Sequence, residues 1–247
     1  MDPTGKVALV TGGGTGIGRA TALLLARRGA DVAVNYSRSK ADADVTAADI
    51  QKLGRRAIAV RADVARDSEI IAMVADVVQK LGRLDILVNN AGFAEFIDFK
   101  DLHKVTDEVW DRTMAVNVKG PFNCIRAAEP HMRKAGAGVV VNVSSIAGTL
   151  GRGSSIPYCA SKAALNIVTR AMARTLAPQI RVNAVAPGVV KTRWVEKQQA
   201  FMRGAQMQTP MRRIAAPEDV AQAIVALIAD NDFVTGHIVT VDGGLSA

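Results

Sequence analysis

The sequence predicts an α/β fold, a doubly wound parallel sheet covered by helices on both faces. Three observations carry this expectation. Short apolar runs alternate with longer stretches of helical character, and glycines mark the junctions. Hydrophobic residues make up 49% of the chain and aromatics only 4%, so the core must be built from Ala, Val, Ile and Leu, which suits strands buried on both faces. The 247 residues suffice for one large domain, and no linker, repeat or low-complexity segment divides them. A single domain over 1–247 is expected.

The elements follow in order. Residues 6–11 read as a buried strand with the centre Val7-Ala-Leu-Val10, followed by glycines. Residues 19–28 are helical in character and stop at Gly29, a helix-ending signal. Residues 31–35 are a second strand, and 40–53 a helix ending at Gly54. Residues 57–61 are a third strand, and 67–81 a helix ending at Gly82. Residues 84–89 are a fourth strand with an Ile-Leu-Val centre, and 106–135 a long helical stretch around 117–121. Residues 138–143 are a fifth strand. Residues 156–176 are a helix with Pro157 in its first turn, where a missing N–H costs nothing. Residues 180–185 are a sixth strand, 217–230 a helix and 237–241 a seventh strand. Residues 188–213 fit no element, and loops of that length in compact domains are usually functional.

Composition narrows the function. Two cysteines, Cys124 and Cys159, exclude a disulfide framework, and the scattered His103, His131 and His237 form no ligand spacing, so no metal site is expected. Cys159 is read as a small buried residue. No apolar run approaches the ~18 residues that span a bilayer, and the N-terminus lacks the regions of a signal peptide, so a cytoplasmic protein without membrane partners is expected. The net charge is +8, but it is dispersed, with no basic run and no aromatic interleaving, and nucleic acid is not an expected partner. The one concentration lies in 191–213, with six basic residues against Glu196.

The first strand is followed by Thr11-Gly-Gly-Gly-Thr-Gly-Ile-Gly18. In a strand–turn–helix context this is a phosphate cradle. Gly12 allows the tight turn, Gly16 lets backbone approach a pyrophosphate, and Gly18 lets the helix pack on the strand. The helix N-terminus beyond it favours phosphate. Gly12, Gly14, Thr15, Gly16, Ile17 and Gly18 are thus expected to bind a dinucleotide. A carboxylate after the second strand would hydrogen-bond the ribose 2′-OH of NAD. Here the chain reads Asn35-Tyr-Ser-Arg-Ser-Lys40. Ser37 and Arg38 offer a donor and a cation, as a 2′-phosphate requires, so NADP (NADPH) is the expected cofactor.

Tyr158 and Lys162 are four residues apart in a predicted helix and share a face. A phenol titrates near pH ~10, and a neighbouring cation favours the phenolate. Ser145, thirteen residues upstream, can donate to a substrate oxygen. The three make a proton-transfer and oxyanion-binding device for a carbonyl/alcohol pair. Ser154 and Ser155 are read as loop or helix-start residues.

With these motifs in order, the whole chain resembles the short-chain dehydrogenase/reductase family, and within it the 3-oxoacyl-[acyl-carrier-protein] reductases. The carrying residues are Thr11–Gly18, Asp63-Val64, Asn89-Asn-Ala-Gly92, Asn117, Ser145, Tyr158-Cys-Ala-Ser-Lys162, Pro187-Gly188 and Val241-Asp-Gly-Gly244. The resemblance implies a seven-stranded Rossmann-type domain. It implies Tyr158 as acid/base, Ser145 polarising a carbonyl, Lys162 lowering the tyrosine pKa and holding the nicotinamide ribose, and Asn117 binding a relay water. Asp63 and Val64 would flank the adenine, and Asn90, Ala91 and Gly92 would line the cofactor path. Pro187, Gly188, Val190 and Thr192 would lie near the nicotinamide, and 188–213 would form a mobile substrate lid. A homotetramer is implied, and acyl carrier protein is a candidate partner. Free ketones, sugars or polyols are the alternative substrates, and a non-catalytic NADP-binding regulatory module is the alternative of another class. Two departures stand out. Thr15 occupies a position that is basic in many NADP-using relatives. Residues 93–110 are longer than usual; Phe93, Phe96 and Phe99, three apart, are expected to pack as one apolar face, the alternative being that the segment shapes the substrate entrance.

Overall fold

Seven strands form one parallel sheet. They are β1 (Val7–Val10), β2 (Asp31–Tyr36), β3 (Ala57–Arg61), β4 (Ile86–Asn89), β5 (Gly138–Val143), β6 (Ile180–Pro187) and β7 (Ile238–Val241). Their order is β3-β2-β1-β4-β5-β6-β7, and every pairing is parallel. The computed structural model describes residues 1–196 and 198–247. The chain enters at β1, winds outward to β3, then crosses back to β4 and continues to β7. Strand order therefore reverses between β1 and β4, where a crevice opens beyond the carboxyl ends of the strands.

Strand side chains alternate between two cores. Ala8 and Val10 face the cluster built with α1 (Gly16–Arg27), α2 (Lys40–Lys52) and α9 (Pro217–Ala229). Val7 and Leu9 face the cluster built with α3 (Asp67–Leu81), α5 (Gly120–Lys134) and α7 (Ile156–Leu176). All four residues of β1 are buried, as strands covered on both faces require. Fully buried side chains such as Leu9, Leu25, Ile50, Ile70 and Leu165 each contribute about 1.5–3 kcal/mol. Between β4, β5 and α7 the core is polar. Asn89 Nδ2 donates to Asn142 Oδ1 at 2.9 Å, and Asn142 Nδ2 donates to Thr169 Oγ1 at 2.9 Å. This chain of buried bonds fixes α7 against the two strands.

The structure departs from the sequence reading at several places. α1 starts at Gly16 rather than residue 19, because the turn itself takes helical form and presents its N–H groups outward. The helical stretch 106–135 is α4 (Asp107–Met114), a π-helical turn over Ala115–Lys119, and α5. A one-turn helix, α6 (Ala147–Leu150), follows β5, and β6 runs on to Pro187. Residues 188–213 contain α8 (Gln199–Gln208), which buries none of its residues. Its sequence Gln-Ala-Phe-Met-Arg-Gly-Ala-Gln-Met-Gln is short, polar overall and interrupted by Gly204, which weakens a helix signal. The expected apolar face of Phe93, Phe96 and Phe99 does not form. Residues 93–98 have no regular structure and turns follow at 99–100 and Leu102–Lys104, so a spacing of three does not place the rings together. Phe93 packs on the core, Phe96 meets Phe201 edge-on at 6.1 Å, and Phe99 stays exposed.

Candidate active site

The glycine turn sits at the switch point. Gly12 and Gly16 adopt φ of +60° and +53°, where side chains are strained. A Cβ on Gly18 would lie 2.3 Å from Gly12 O and 2.5 Å from Asn90 Nδ2. The turn is thus pinned at its base: Asn90 Nδ2 donates to Thr11 O and Gly12 O at 3.0 Å each, and Thr11 Oγ1 accepts from the N–H groups of Asn90 and Ala91. Asn35 holds it from the other side. Its Oδ1 accepts from Gly12 N at 3.2 Å, while Nδ2 donates to Val60 O and Ala62 O. Asn35 therefore stands as a scaffold residue where a carboxylate could have been.

Beyond the turn lie two adjoining cavities of about 70 and 190 Å³. Both are lined by Ser37, Arg38, Asp63 and Arg112; the smaller also includes Gly12, Val64, Ala91 and Gly92. Asp63 receives Arg112 at 3.1 and 3.3 Å, and its Oδ1 accepts from Ala65 N at 3.0 Å. Burial alone would raise the Asp63 carboxyl, but the Ala65 N–H and the Arg112 guanidinium outweigh it and hold it below the usual carboxylate range. Arg112, on α4, is 49 residues away in sequence, and nothing in the sequence pairs it with Asp63.

At the other end of the crevice, Ser145 follows β5 and Tyr158 and Lys162 stand on the first turns of α7. The Ser145 hydroxyl lies near enough to the Tyr158 phenol to lower its pKa. Ser145 Oγ accepts from Ala147 N at 3.1 Å and donates to Pro187 O only over a long 3.5 Å, a contact its proton can leave for a substrate oxygen. Ser144 points the other way, donating from Oγ to Asn166 Oδ1 at 2.7 Å. Lys162 is 4% exposed. Its Nζ donates to Val143 O at 2.8 Å and lies 5.5 Å from the centre of the Tyr158 ring. No carboxylate pairs with it among the described residues. Burial lowers the ammonium to about 8. Burial also pushes the Tyr158 phenol up to about 12, against a lowering by the Ser145 hydroxyl. The expected depression of the phenol by Lys162 is not what this geometry gives, because removal from water, with the neighbouring Cys159, outweighs the lowering by Ser145. Gly148 makes the arrangement possible, since a Cβ there would come within 2.6 Å of the Lys162 carbonyl carbon.

Asn117 lies on the π-helical turn and is fully buried. Its Oδ1 accepts from Phe93 N at 2.8 Å, and its Nδ2 donates to Phe93 O at 2.8 Å and Ser161 Oγ at 3.0 Å. Its amide clamps the strand exit to α7 rather than facing open space. Such π turns recur at functional sites because they disturb the regular backbone ladder.

A strap crosses the mouth of the crevice. Pro187 O accepts from Ile146 N at 3.0 Å beside Ser145. Val190 bridges Ala215. Thr192 packs over Gly16, its Cγ2 3.1 Å from where a Cβ would be. Arg193 reaches Asp42 at the start of α2, at 2.7 and 2.9 Å. The Trp194 ring lies 6.2 Å from the Tyr158 ring and closes on Gly92. Trp194 was legible only as apolar content of 188–213; its seat over Tyr158 was not. The structure thus gathers the predicted residues at two ends of one crevice, with Gly188 behind, against Asp242. Among the described residues no group of three or more His, Cys, Asp or Glu could hold a metal.

Comparison with known proteins finds relatives along nearly the whole chain. A family model described as "Enoyl-(Acyl carrier protein) reductase" matches residues 12–246. The protein of Streptomyces violaceoruber named "Granaticin polyketide synthase putative ketoacyl reductase 2" is 44% identical over 245 residues, covering 98% of this chain and 96% of its own. The 3-oxoacyl-[acyl-carrier-protein] reductase FabG of Staphylococcus aureus is 38% identical, covering 97% of this chain and 98% of its own. A crystal structure of a short-chain type dehydrogenase/reductase from Mycobacterium marinum superposes with a TM-score of 0.93 at 34% identity, covering 100% of this chain and 97% of the other.

Proposed function

We propose that this chain, which belongs to the short-chain dehydrogenase/reductase family, is an NADPH-dependent reductase that interconverts a ketone and a secondary alcohol. The observation that carries the reading is the convergence of Ser145 and the Tyr158 phenol at the crevice, with Lys162 one turn along α7 and unpaired by any carboxylate among the described residues.

The chain's own residues fit the cofactor. The glycine cradle has no room for a Cβ at Gly18, so the start of α1 packs directly on the turn and its N–H groups are placed for a pyrophosphate. Lys162 has donors beyond the one given to Val143 O, suited to ribose hydroxyls. Ser37 and Arg38 line a cavity in which no carboxylate is free to take a ribose 2′-OH, since Asp63 is held by Arg112. When bound, NADPH supplies the hydride. Ser145 Oγ donates a hydrogen bond to the carbonyl oxygen as negative charge gathers there. Tyr158 Oη delivers the proton to that oxygen. The Lys162 ammonium stabilises the phenolate that remains. Asn117 positions α7 through Ser161 and, in this reading, lies on the path by which protons return. Gly12, Gly14, Thr15, Gly16, Ile17 and Gly18 hold phosphate; Asp63, Val64, Asn90, Ala91 and Gly92 line the adenosine path; Pro187, Gly188, Val190 and Thr192 close the nicotinamide end.

Residues 1–247 are read as one catalytic domain, with 188–213 as a mobile lid. Among apolar side chains at the lid, Phe96, Trp194, Phe201, Met207 and Met211 are exposed, suited to an adaptable pocket. With the cations of 191–213, they favour a 3-oxoacyl thioester carried on acyl carrier protein. The names of the Streptomyces and Staphylococcus relatives support a carbonyl substrate. A Ser–Tyr pair aimed at one oxygen also suits C=O better than the C=C of an enoyl group. Exposed Phe122 on α5 and Ile167 on α7 suit contact with other copies of the chain, and the reading is a homotetramer in a cytoplasmic setting. No described helix is long and apolar enough to cross a membrane.

Oxidation of NADPH with acetoacetyl thioesters and with a panel of free ketones tests the reading. Turnover of thioesters supports it. If thioesters are inert while a free ketone turns over, the carrier part is wrong. If NADPH binds and no carbonyl compound reacts, the chain is a binding module instead.

A further inference from the structure

The larger cavity holds more positive charge than its own acids use. It is lined by Ser37, Arg38, Arg61, Asp63, Arg66, Glu69 and Arg112. Both carboxylates are already engaged. Asp63 is paired with Arg112. Glu69 takes Arg66 at 3.0 Å and the Asp63 N–H at 2.8 Å. Arg38 and Arg61 form no ion pair among the described residues. Two guanidiniums are thus left facing about 190 Å³ of open space. That surplus matches a phosphate monoester, which carries about −1.5 to −2 at pH 7.

The two arginines reach the cavity from different elements. Arg38 follows β2 on a loop. Arg61 is the last residue of β3, in register with Tyr36, and the next residue is tied back by Ala62 N donating to Tyr36 O at 2.9 Å. The sheet therefore fixes the Arg61 backbone beside Ser37 and Arg38. A group on a rigid strand end is placed more closely than one on a loop. Thr15 gives the turn no cation of its own, so a 2′-phosphate here needs a second charge from elsewhere.

We propose that Arg61 is a specificity-determining residue for the cofactor, gripping the 2′-phosphate of NADPH from the β3 side opposite Arg38. The inference rests on the NADPH reading above. It is tested on the full chain, without turnover, by calorimetric titration of 2′,5′-ADP and 5′-AMP. The native chain binds 2′,5′-ADP more tightly. Arg61→Gln weakens 2′,5′-ADP about tenfold, as loss of one charge-assisted contact implies, and shifts 5′-AMP less than twofold. Arg61→Lys keeps most of the preference. A native chain without preference for 2′,5′-ADP overturns the NADPH reading itself. A native preference that survives in Arg61→Gln but falls in Arg38→Gln overturns the role of Arg61 alone. Equal weakening of both ligands by Arg61→Gln shows a merely structural effect and also overturns it.

Discussion

Replacing Lys162 by methionine should make the cofactor-free protein more stable while removing its activity. Lys162 is 4% exposed, and among the described residues its Nζ has one protein acceptor, Val143 O at 2.8 Å. Burial brings its ammonium from 10.5 down to about 8. At about 1.4 kcal/mol per pH unit, keeping the charge there at pH 7 costs about 3 kcal/mol. Losing the bond to Val143 O gives back about 1 kcal/mol, which leaves the variant ahead by about 2 kcal/mol. For a chain of this size that raises Tm by about 4–8 °C. The sign with pH follows from linkage. The folded chain holds the proton less tightly than the unfolded chain, so the penalty is full below about 8 and fades as pH rises toward 10.5. Urea unfolding of native and variant chains at pH ~7 and ~9.5 should show a stability gain that shrinks at the higher pH. A variant less stable at pH 7, or a gain that grows with pH, would refute the claim that an uncompensated buried ammonium sits at the site. The lysine is then a group kept for function at a cost in stability.

The same two groups set the pH profile. Tyr158 is pushed up to about 12, so the phenol stays protonated through the working range, whereas Lys162 loses its charge above about 8. The kcat/KM for carbonyl reduction should fall as pH rises through about 8, and a profile flat to pH ~10 contradicts the assignment. Gly18→Ala places a Cβ 2.3 Å from Gly12 O, so the turn must open. We expect NADPH affinity to fall more than tenfold and the fold to lose about 1–3 kcal/mol; unchanged affinity by titration would show that the turn does not cradle the cofactor.

Much of this architecture was readable in the chain because local signals agreed with the global fold. Gly29, Gly54 and Gly82 ended their helices as expected, and α3 and α7 fall on the predicted residues. The aliphatic runs became strands because both faces had to be buried. What was not readable depends on contacts between distant segments. The Arg112–Asp63 pair and the convergence of Arg61 with Arg38 arise only when β2, β3 and α4 come together. The Asn117 clamp needs the π-helical turn, which no periodicity announces. The burial that raises Tyr158 comes from packing across the crevice, where Trp194 also closes. A sequence argument for the phenolate saw Lys162 but not the desolvation.

The central claim is that Tyr158 Oη moves the proton. Tyr158→Phe keeps the ring that packs near Trp194 and Lys162 and removes only the hydroxyl. With a turned-over carbonyl substrate, kcat should drop about 10³-fold or more, while NADPH affinity by titration stays within about threefold of native. A variant that binds NADPH and retains near-native kcat would contradict the account.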